Sequence, residues 1–282
     1  MSDLFDFRRR LDNYAVMGNP VAHSKSPRIH SLFAEQTGEP VHYEAIQVDP
    51  GGFPQAVGNF DASGGKGLNI TVPFKQEAWA LVNERSERAE RAGAVNTIKF
   101  GDATLYGDNT DGIGLVNDLL NNRLVIKGKR VLLMGAGGAA RGVLAPLLEQ
   151  QPAQLVIANR TAEKARELAD AFHDLGKIEG CGYAALEDKQ FDLVINATAA
   201  SLQGELPPLP DNLLADGAVC YDMMYGAEPT PFMRWAFEQD ATTVLDGLGM
   251  LVEQAAESFY IWRGVRPETK TVIEQLRREM AS

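Results

Sequence analysis

Cysteine and long apolar runs are scarce in this chain of 282 residues. Cys181 and Cys220 form no CxxC pair and have no histidines spaced around them, so we expect two buried thiols rather than a redox or metal site. No stretch is long and apolar enough to span a membrane, and residues 1–18 lack the uninterrupted apolar segment of a signal peptide. The sequence therefore predicts a cytoplasmic protein without a membrane partner.

Positive charge is also in short supply, with 27 Lys and Arg against 38 Asp and Glu and a formal charge of −11. The field of the whole protein opposes a general electrostatic attraction to DNA or RNA, so we expect no nucleic-acid partner. An anionic ligand must instead be held by hydroxyls, backbone amides and a few local cations. The length and the 45% hydrophobic content favour a globular protein of two domains.

The first part of the chain alternates short strands with helices. Strands are predicted at 13–18, 41–48 and 66–72, and helices at 29–36 and 75–91, while residues 94–100 and 103–108 are further apolar pieces. The turn-rich segment GDNTDGIG leads into a helix at 115–122, and we place the first domain boundary there.

From residue 131 onward, strands and helices alternate regularly. The apolar runs VLLMG, QLVIANR, DLVINAT and AVCYDMMY alternate with the helical segments AARGVLAPLLEQQ, TAEKARELADAF and PFMRWAFEQ, and ATTVLDG is the last strand. This order predicts a parallel sheet covered by helices on both faces. We expect Pro146 to bend the first of these helices without breaking it, and residues 249–280 to be helical.

A glycine turn follows the first of these strands. Gly135, Gly137 and Ala140 form a G-x-G-x-x-A pattern between an apolar strand and a helix. The first Gly permits the turn, the second lets the backbone approach a pyrophosphate, and the helix N-terminus supplies free amides. The pattern predicts a dinucleotide site, and a tight turn without a ligand is the alternative.

The end of the second strand favours NADP over NAD. That strand ends in Asn159, Arg160 and Thr161, without the carboxylate that hydrogen-bonds the ribose of NAD. A guanidinium at this place can bind a 2′-phosphate and stack on adenine, and Lys164 lies one turn into the next helix. The alternative is a surface helix with solvated charges and Thr161 as its cap.

Polar residues of the N-terminal part fall in loops, where they suit a polyhydroxylated substrate. They are Ser24, Ser26, Thr71, Lys75, Asn96, Thr97 and Asp111. Taken singly, each is equally typical of turn or cap chemistry. His23 has no second ligand at metal spacing, and we expect no metal site. Met223, Met224 and Met250 are expected to fill the core.

These motifs occur in a recognisable order. NPVAHSKSPRIH, GGKGLNITVPFK, AGAVNT, GDNTDG, GAGGAARG, ANRT, NAT, YDMMY and DGLGMLVEQA follow one another along the chain. In this order the sequence resembles the shikimate dehydrogenase family, from about Tyr14 to the C-terminal helices. The resemblance implies an oxidoreductase that reversibly reduces 3-dehydroshikimate to shikimate with NADPH, on the route to chorismate and the aromatic amino acids. A quinate/shikimate dehydrogenase that prefers NAD and a catalytically silent NADP-binding sensor are the alternatives.

The resemblance also implies roles for individual residues. The catalytic residues are Lys75 and Asp111, at the hydroxyl that is oxidised. The substrate residues are Ser24 and Ser26 at the carboxylate, with Thr71, Asn96, Tyr225 and Gln254 around the ring hydroxyls. The cofactor residues are Gly135, Ala136, Gly137, Gly138 and Ala139 at the pyrophosphate, Asn159, Arg160, Thr161 and Lys164 at the adenosine phosphate, Met223 and Gly247 at the nicotinamide, and Glu87 as a weaker candidate.

The chemistry of the catalytic pair follows from their side chains. An ammonium such as that of Lys75 can give a proton to a developing alkoxide and stabilise it, and Asp111 is then an orienting partner rather than the main base. A structural salt bridge between Lys75 and Asp111 is the alternative.

The predicted fold class is α/β with two domains. A substrate-binding and catalytic domain comprises residues 1–111 and 247–282, and a doubly wound Rossmann-type NADP-binding domain comprises residues 112–246. We expect the active site in the cleft between the two domains, and we expect one domain to close on the other when the ligands bind. The substrate is a small molecule, and the protein is either a monomer or a homodimer. Two departures from the family pattern are about ten residues before the first strand and the altered loop AASLQG after Thr198.

Overall fold

The computed structural model describes residues 11–198, 200 and 204–281. The chain divides into two compact units, Met1–Thr110 with Ala255–Val272, and Asp111–Gln254 with Ile273–Ser282. The predicted domains differ from these units by assigning Asp111 and all of residues 247–282 to the first domain, and that assignment stays a prediction. The N-terminal extension at 1–10, and Ala199 and residues 201–203 of the altered loop, lie outside the described residues.

The first unit is built on a mixed six-stranded sheet. Its elements are β1 (Asp12–Gly18), α1 (Ser26–Thr37), β2 (Val41–Gln47), α2 (Phe53–Ala62), β3 (Gly67–Ile70), α3 (Lys75–Leu81), β4 (Glu84–Arg85), α4 (Glu87–Ala92), β5 (Thr97–Phe100), β6 (Leu105–Asp108) and the later part of α9 (Leu248–Arg263). The strand order is β2-β1-β3-β5-β6-β4. β1 is parallel to β2 and β3, whereas β5 is antiparallel to both β3 and β6.

The core of this unit occupies both faces of the sheet. Ala15 and Met17 of β1 pack in a cluster of buried side chains with residues of α2 and α3. Tyr14 belongs to the opposite face and lies 4.7 Å from Trp262 of α9, ring centroid to ring centroid. Gly67 makes this packing possible, because a Cβ there would come within 2.4 Å of the Trp262 indole nitrogen.

The predicted helix at 75–91 is wrong. α3 ends at Leu81, the chain is extended at β4, and α4 begins after Ser86, whose Oγ accepts a hydrogen bond from the Ala89 amide at 3.1 Å. α1 begins at Ser26, three residues before its predicted start, because Pro27 in its first turn suits a helix N-terminus. α2 has no counterpart among the predicted elements.

The second unit is built on a six-stranded sheet. Its elements are α5 (Asp111–Asn121), β7 (Arg130–Met134), α6 (Gly138–Glu149), β8 (Gln154–Ala158), α7 (Ala162–Asp170), β9 (Ile178–Cys181), β10 (Phe191–Asn196), β11 (Leu214–Asp222), α8 (Pro231–Glu238), β12 (Thr243–Leu245), the first part of α9 and most of α10 (Lys270–Ala281). The strand order is β12-β11-β10-β7-β8-β9, and all neighbours are parallel. The predicted parallel sheet is confirmed.

Both faces of this sheet are buried, which explains its apolar strand sequences. Val131 and Leu133 of β7 lie in a cluster with residues of α5, α6 and α7. Leu132 and Met134 face the other way and pack in a cluster that includes Phe232 of α8. Successive strand residues therefore both enter apolar cores, as expected for a doubly wound sheet.

The later part of the chain has an unbroken helix at Pro146, a divided C-terminal helical stretch and two buried thiols. α6 runs through Pro146 without a break. The C-terminal helical stretch is divided, because Gly264 has a φ of 71° and Pro267 follows before α10 begins. Cys181 and Cys220 are buried free thiols as predicted, and burial raises the pKa of Cys220 to about 12. No helix within the described ranges combines the length and apolarity needed to cross a bilayer.

Candidate functional site

The predicted substrate residues of the first unit lie at one edge of its sheet, where β1 and β3 end. β1 and β3 are parallel and both end at this edge, and β5 begins there because it is antiparallel to β3, with Thr97 opposite Asn69. Ser24, Thr71 and Asn96 lie on loops at this edge, and Ser26 and Lys75 are the first residues of the helices that follow. The topology thus brings together side chains from three separate motifs.

Ser24 and Ser26 stand at the beginning of α1. The Ser24 Oγ accepts a hydrogen bond from the Ser26 amide at 3.2 Å. Ser24 is half-buried and Ser26 is buried, and no side chain caps the helix at Lys25. Two hydroxyls at the N-terminus of a helix, where the helix dipole is positive, suit an anionic group such as a carboxylate.

Thr71 and Lys75 stand on either side of the turn after β3. The Thr71 amide donates to the Met17 carbonyl at 3.0 Å, and the Thr71 carbonyl accepts from the Phe74 amide at 3.0 Å. Lys75 is the half-buried first residue of α3, and its carbonyl accepts from the Val95 amide at 2.9 Å. These bonds fix the backbone that carries the Lys75 ammonium.

Asn96 is buried and holds the segment that leads to Asp111. Its Oδ1 accepts hydrogen bonds from the Thr110 amide and the Thr97 hydroxyl, each at 2.9 Å. Its Nδ2 donates to the Thr110 hydroxyl, also at 2.9 Å. Asp111 is the next residue along the chain and opens α5 of the second unit. Asn96 therefore has a structural role besides its predicted binding role.

Sequence reasoning missed Asn69, which joins these polar groups. Its Nδ2 donates to the Ser258 hydroxyl at 3.0 Å and to the Asn96 carbonyl at 3.2 Å, and its Oδ1 accepts from the Tyr43 hydroxyl at 2.7 Å. Burial raises the pKa of Tyr43 well above 10, against the effect of Ser26, so the phenol stays protonated and donates. A polar residue within the short apolar strand GLNI was the signal available in the sequence.

A second missed group anchors the end of β6. Arg88 contacts both carboxylate oxygens of Asp108, at 2.7 and 2.9 Å, and Glu257 at 2.9 Å. Ser86 donates to Asp108 at 2.5 Å, and the Asn109 amide does so at 2.7 Å. Burial alone would lower the pKa of Arg88, but the Asp108 and Glu257 carboxylates raise it above its usual value. The group fixes the strand end from which residues 109–111 continue.

Glu87 and His23 do not belong to these clusters. Glu87 is the exposed first residue of α4 in the first unit, whereas the glycine turn lies in the second, and its cofactor role stays a prediction. His23 is exposed in the loop before α1. In the part of the chain that the structure describes, no three His, Cys, Asp or Glu side chains are grouped as metal ligands.

The glycine turn has the strand–turn–helix context that a pyrophosphate site needs. Gly135 follows β7 with a φ of 104°, and its amide donates to the Ala158 carbonyl at 2.8 Å. Gly137 and Gly138 are exposed, and a Cβ on either would meet no atom within 4 Å. Ala140 is fully buried in the core. Exposed backbone with open space at the N-terminus of α6 fits a pyrophosphate.

The end of β8 carries cations without a carboxylate. The Asn159 amide donates to the Cys181 carbonyl at 3.1 Å, and its Nδ2 donates to the Thr161 carbonyl at 3.0 Å. Arg160, Thr161 and Lys164 are exposed. The Thr161 side chain makes no capping bond to α7, so capping does not account for the threonine there. This arrangement fits an anionic phosphate group.

Met223 and Gly247 come together beside the glycine turn. Met223 follows β11 and its amide donates to the Asn196 carbonyl at 2.9 Å. A Cβ on Gly247 would lie 2.2 Å from the Met223 carbonyl oxygen, so only glycine fits. At Gly135, a Cβ would lie 3.1 Å from the Ala197 carbonyl oxygen. The carboxyl ends of β7, β10, β11 and β12 therefore form one edge, where ligands of open α/β sheets bind.

Tyr225 and Gln254 also belong to the second unit. Tyr225 is half-buried, and burial raises the pKa of its phenol, with Asp246 adding to the effect. Gln254 lies on α9, and its Nε2 donates to the Leu251 carbonyl at 2.8 Å. Gly114 of α5 allows α9 to approach, because a Cβ there would lie 2.7 Å from that of Gln254.

Three family models match successive parts of the chain. They describe the shikimate dehydrogenase substrate binding domain, shikimate / quinate 5-dehydrogenase and the shikimate 5′-dehydrogenase C-terminal domain, and match residues 16–98, 118–203 and 247–277. Shikimate dehydrogenase (NADP(+)) of Cellvibrio japonicus is 61% identical over 270 residues, which cover 95% of this chain and 98% of that protein.

Solved structures show the same fold. An Ael1 enzyme from Pseudomonas putida has 49% identity and a TM-score of 0.89, covering 94% of this chain and 98% of its own. Shikimate 5-dehydrogenase from Thermus thermophilus, in complex with NADP(H) and shikimate, has 32% identity and a TM-score of 0.85, covering 95% and 99%. These likenesses confirm the two-domain α/β fold class with a substrate-binding N-terminal domain and a Rossmann-like domain. The chain belongs to the shikimate dehydrogenase family.

Proposed function

We propose that this chain is an NADP-dependent oxidoreductase that reversibly reduces 3-dehydroshikimate to shikimate, a step toward chorismate and the aromatic amino acids. The observation that carries the proposal is the 61% identity, over 95% of the chain, to a protein named shikimate dehydrogenase (NADP(+)). Ser and Thr hydroxyls, an Asn and a Lys at one sheet edge are suited to a hydroxylated carboxylic acid.

Ser24 and Ser26 hold the substrate carboxylate in this proposal. Their hydroxyls stand at the N-terminus of α1, where the helix dipole favours negative charge. The ring hydroxyls are bound by groups that both donate and accept hydrogen bonds, and these belong to Thr71, Asn96, Tyr225 and Gln254. A site that hydrogen-bonds several hydroxyls rejects analogues that leave its polar groups unpaired.

Lys75 and Asp111 act on the reacting oxygen. When bound, NADPH supplies the hydride that reduces the carbonyl carbon. Lys75 donates a proton to the carbonyl oxygen as it becomes an alkoxide, and it takes the proton back when shikimate is oxidised. Asp111 orients the reacting hydroxyl through a hydrogen bond. The Lys75 backbone is held by hydrogen bonds at both ends of its turn, which supports a fixed position for the ammonium.

The cofactor is held by the second unit. The backbone from Gly135 to Ala139 binds the pyrophosphate, since Gly137 and Gly138 are exposed and have open space where a Cβ would lie. The adenosine phosphate is bound by Asn159, Arg160, Thr161 and Lys164, and the nicotinamide lies beside Met223 and Gly247. Glu87 is a further cofactor-side candidate.

A cytoplasmic location and a homodimer are part of the same proposal. Cell fractionation measures the first, and light scattering on the purified protein measures the second. A particle mass of one chain, or the protein in a membrane or exported fraction, would contradict the corresponding part.

The substrate and cofactor choice is tested with four assays on the unaltered enzyme. Shikimate or quinate is oxidised with NADP⁺ or NAD⁺, and kcat/KM is obtained from the absorbance of the reduced cofactor. We expect the shikimate and NADP⁺ pair to exceed the other three pairs. Turnover confined to NAD⁺, or faster with quinate, would assign the chain to the alternative dehydrogenase. Tight NADP⁺ binding with no turnover would leave only a cofactor-binding sensor.

A further inference from the structure

The motifs NAT and YDMMY place two buried polar residues side by side in the second sheet. Asn196 is the last residue of β10 and Asp222 is the last residue of β11, and the two are register partners in the parallel pair. Neither is exposed to solvent. The Asn196 Nδ2 donates a hydrogen bond to the Asp222 Oδ1 at 3.1 Å. None of the roles assigned above uses this pair.

Each side chain also holds the loop that follows its strand. The Asn196 Oδ1 accepts from the Thr198 hydroxyl at 2.7 Å and from the Thr198 amide at 3.1 Å. The Asp222 Oδ1 accepts from the Met224 amide at 3.0 Å, and its Oδ2 accepts from the Thr230 hydroxyl at 2.5 Å. The two loops are therefore tied to each other through one buried hydrogen-bond network.

The same network fixes the backbone beside Gly247. The Met223 amide donates to the Asn196 carbonyl at 2.9 Å, and the Gly247 amide donates to the Met224 carbonyl at 3.0 Å. Because Gly247 has no Cβ, its backbone lies directly against the Met223 carbonyl. A shift of Met224, which Asp222 holds, must move both residues that we place beside the nicotinamide.

We propose that Asn196 and Asp222 are positioning residues for the nicotinamide end of the cofactor site. The inference rests on the proposed function, because it takes Met223 and Gly247 as nicotinamide-side residues. The pair acts through the loops after β10 and β11, since both side chains are fully buried. The adenosine phosphate end, after β8, is held by other bonds and is expected to be independent of the pair.

The test compares Asp222→Ala with Asp222→Asn. Alanine removes the acceptor for Met224, whereas asparagine keeps an oxygen in its place. For Asp222→Ala we expect kcat with shikimate and NADP⁺ to fall roughly tenfold to a hundredfold, because small misplacements of reacting groups have effects of this size. The change in NADPH fluorescence on binding, which reports the nicotinamide, should also be lost. The Kd of 2′,5′-ADP, which reports only the adenosine end, should change by less than about twofold.

Matched variants complete the test. Asp222→Asn should keep kcat within about threefold of the unaltered enzyme. Asp192→Asn should leave all three readouts unchanged, because Asp192 lies at the opposite end of β10, in an ion pair with Arg130. If Asp222→Ala does not fold, Thr230→Val removes the hydrogen bond to Asp222 together with the N-cap bond of α8, and it should lower kcat in the same pattern. Thr230→Ser keeps both bonds and should restore kcat.

An unchanged kcat in the variant that folds, or a parallel loss of 2′,5′-ADP binding, would overturn the positioning role. Failure of the proposed function has a different signature, because the unaltered enzyme itself would then not reduce NADP⁺ with shikimate.

Discussion

Replacing His30 should make the protein more resistant to acid. His30 lies on α1, is fully buried and stacks on Tyr43 with ring centroids 4.2 Å apart. Neither ring nitrogen has a hydrogen-bond partner among the residues that the structure describes. Burial lowers the pKa of His30 from 6.5 to about 3, with Asn69 partly opposing the shift. The fold therefore accommodates only the neutral ring.

The size of the effect follows from linkage. Because the folded-state pKa is depressed, the unfolded chain binds a proton below pH 6.5 that the folded protein does not bind. Stability therefore decreases as the pH is lowered from 6.5 to about 3. Each pH unit within this window amounts to about 1.4 kcal/mol. Between about pH 7.5 and pH 5.0, the His30 contribution to the free energy of unfolding should therefore fall by about 2 kcal/mol.

The assay is denaturant unfolding of the unaltered protein and of His30→Phe at several pH values. Tryptophan fluorescence provides the signal, and one of the three tryptophans, Trp262, has its ring 5.3 Å from His30. Any packing cost of the larger ring does not depend on pH and cancels when the two pH values are compared. Phe33→Leu is the control, because it alters the same core without removing a titrating group. A stability difference between the unaltered protein and His30→Phe that stays constant from pH 7.5 to 5.0 would refute the reasoning.

Three further changes have separate readouts. Arg160→Ala should raise the Kd of NADP⁺ roughly tenfold to a hundredfold and that of NAD⁺ far less, because a charge-assisted hydrogen bond to the 2′-phosphate is lost; equal effects in titrations of the two cofactors would contradict this. Gly247→Ala should lower the free energy of unfolding by roughly 1–3 kcal/mol, because its Cβ would lie 2.2 Å from the Met223 carbonyl oxygen. Gly58→Ala, at a position on α2 with open space, should raise the free energy of unfolding by about 0.5–1 kcal/mol, and denaturant unfolding measures both changes. Burial raises the pKa of Asp118 above 3.8, so near that pH the folded protein binds more protons there than the unfolded chain. The free energy of unfolding, relative to that of Asp118→Asn, should therefore fall as the pH rises from 3.8 through the raised pKa. A difference between the two proteins that does not change with pH would contradict this.

The second sheet was predictable because burial on both faces leaves a strong sequence signal. β7 and β8 are continuous apolar runs, and the glycine turn marks where the first helix begins. β9 was missed because it lies at the sheet edge and its sequence IEGC is mostly half-buried. Its Gly180 has a tertiary cause, since a Cβ there would lie 2.2 Å from the Ala165 backbone.

The first unit was predicted less well because its sheet is mixed and its helices are short. The helical composition of residues 75–91 conceals an extended segment, although Ser86 as a helix cap and Gly93 with its φ of 60° were readable signs of a separate α4. Turn chemistry predicted loops for the polar site residues, which is correct for Ser24, Thr71 and Asn96, whereas Ser26, Lys75 and Asp111 are the first residues of helices. Their convergence on one edge depends on the antiparallel pairing of β5 with β3, which no local pattern specifies.

The buried hydrogen bonds of the site residues could not be predicted from sequence at all. Asn96 was identified as a binding residue, but its bonds to Thr110 join positions 14 residues apart in the chain. Asp222 and Asn196 are 26 positions apart and meet only because β10 and β11 are neighbours. Such pairs depend on strand order, which is a property of the whole fold.

The proton-transfer role of Lys75 is the central chemical claim, and Lys75→Ala tests it most directly. Steady-state oxidation of shikimate with NADP⁺ and calorimetric binding of shikimate are measured on the variant, with Lys99→Ala as a control lysine that bonds the Ile261 carbonyl at 2.8 Å. We expect kcat to fall roughly 10²–10⁴-fold in Lys75→Ala, with little change in shikimate affinity and none of either effect in Lys99→Ala. Near-full turnover in Lys75→Ala would show that another group moves the proton.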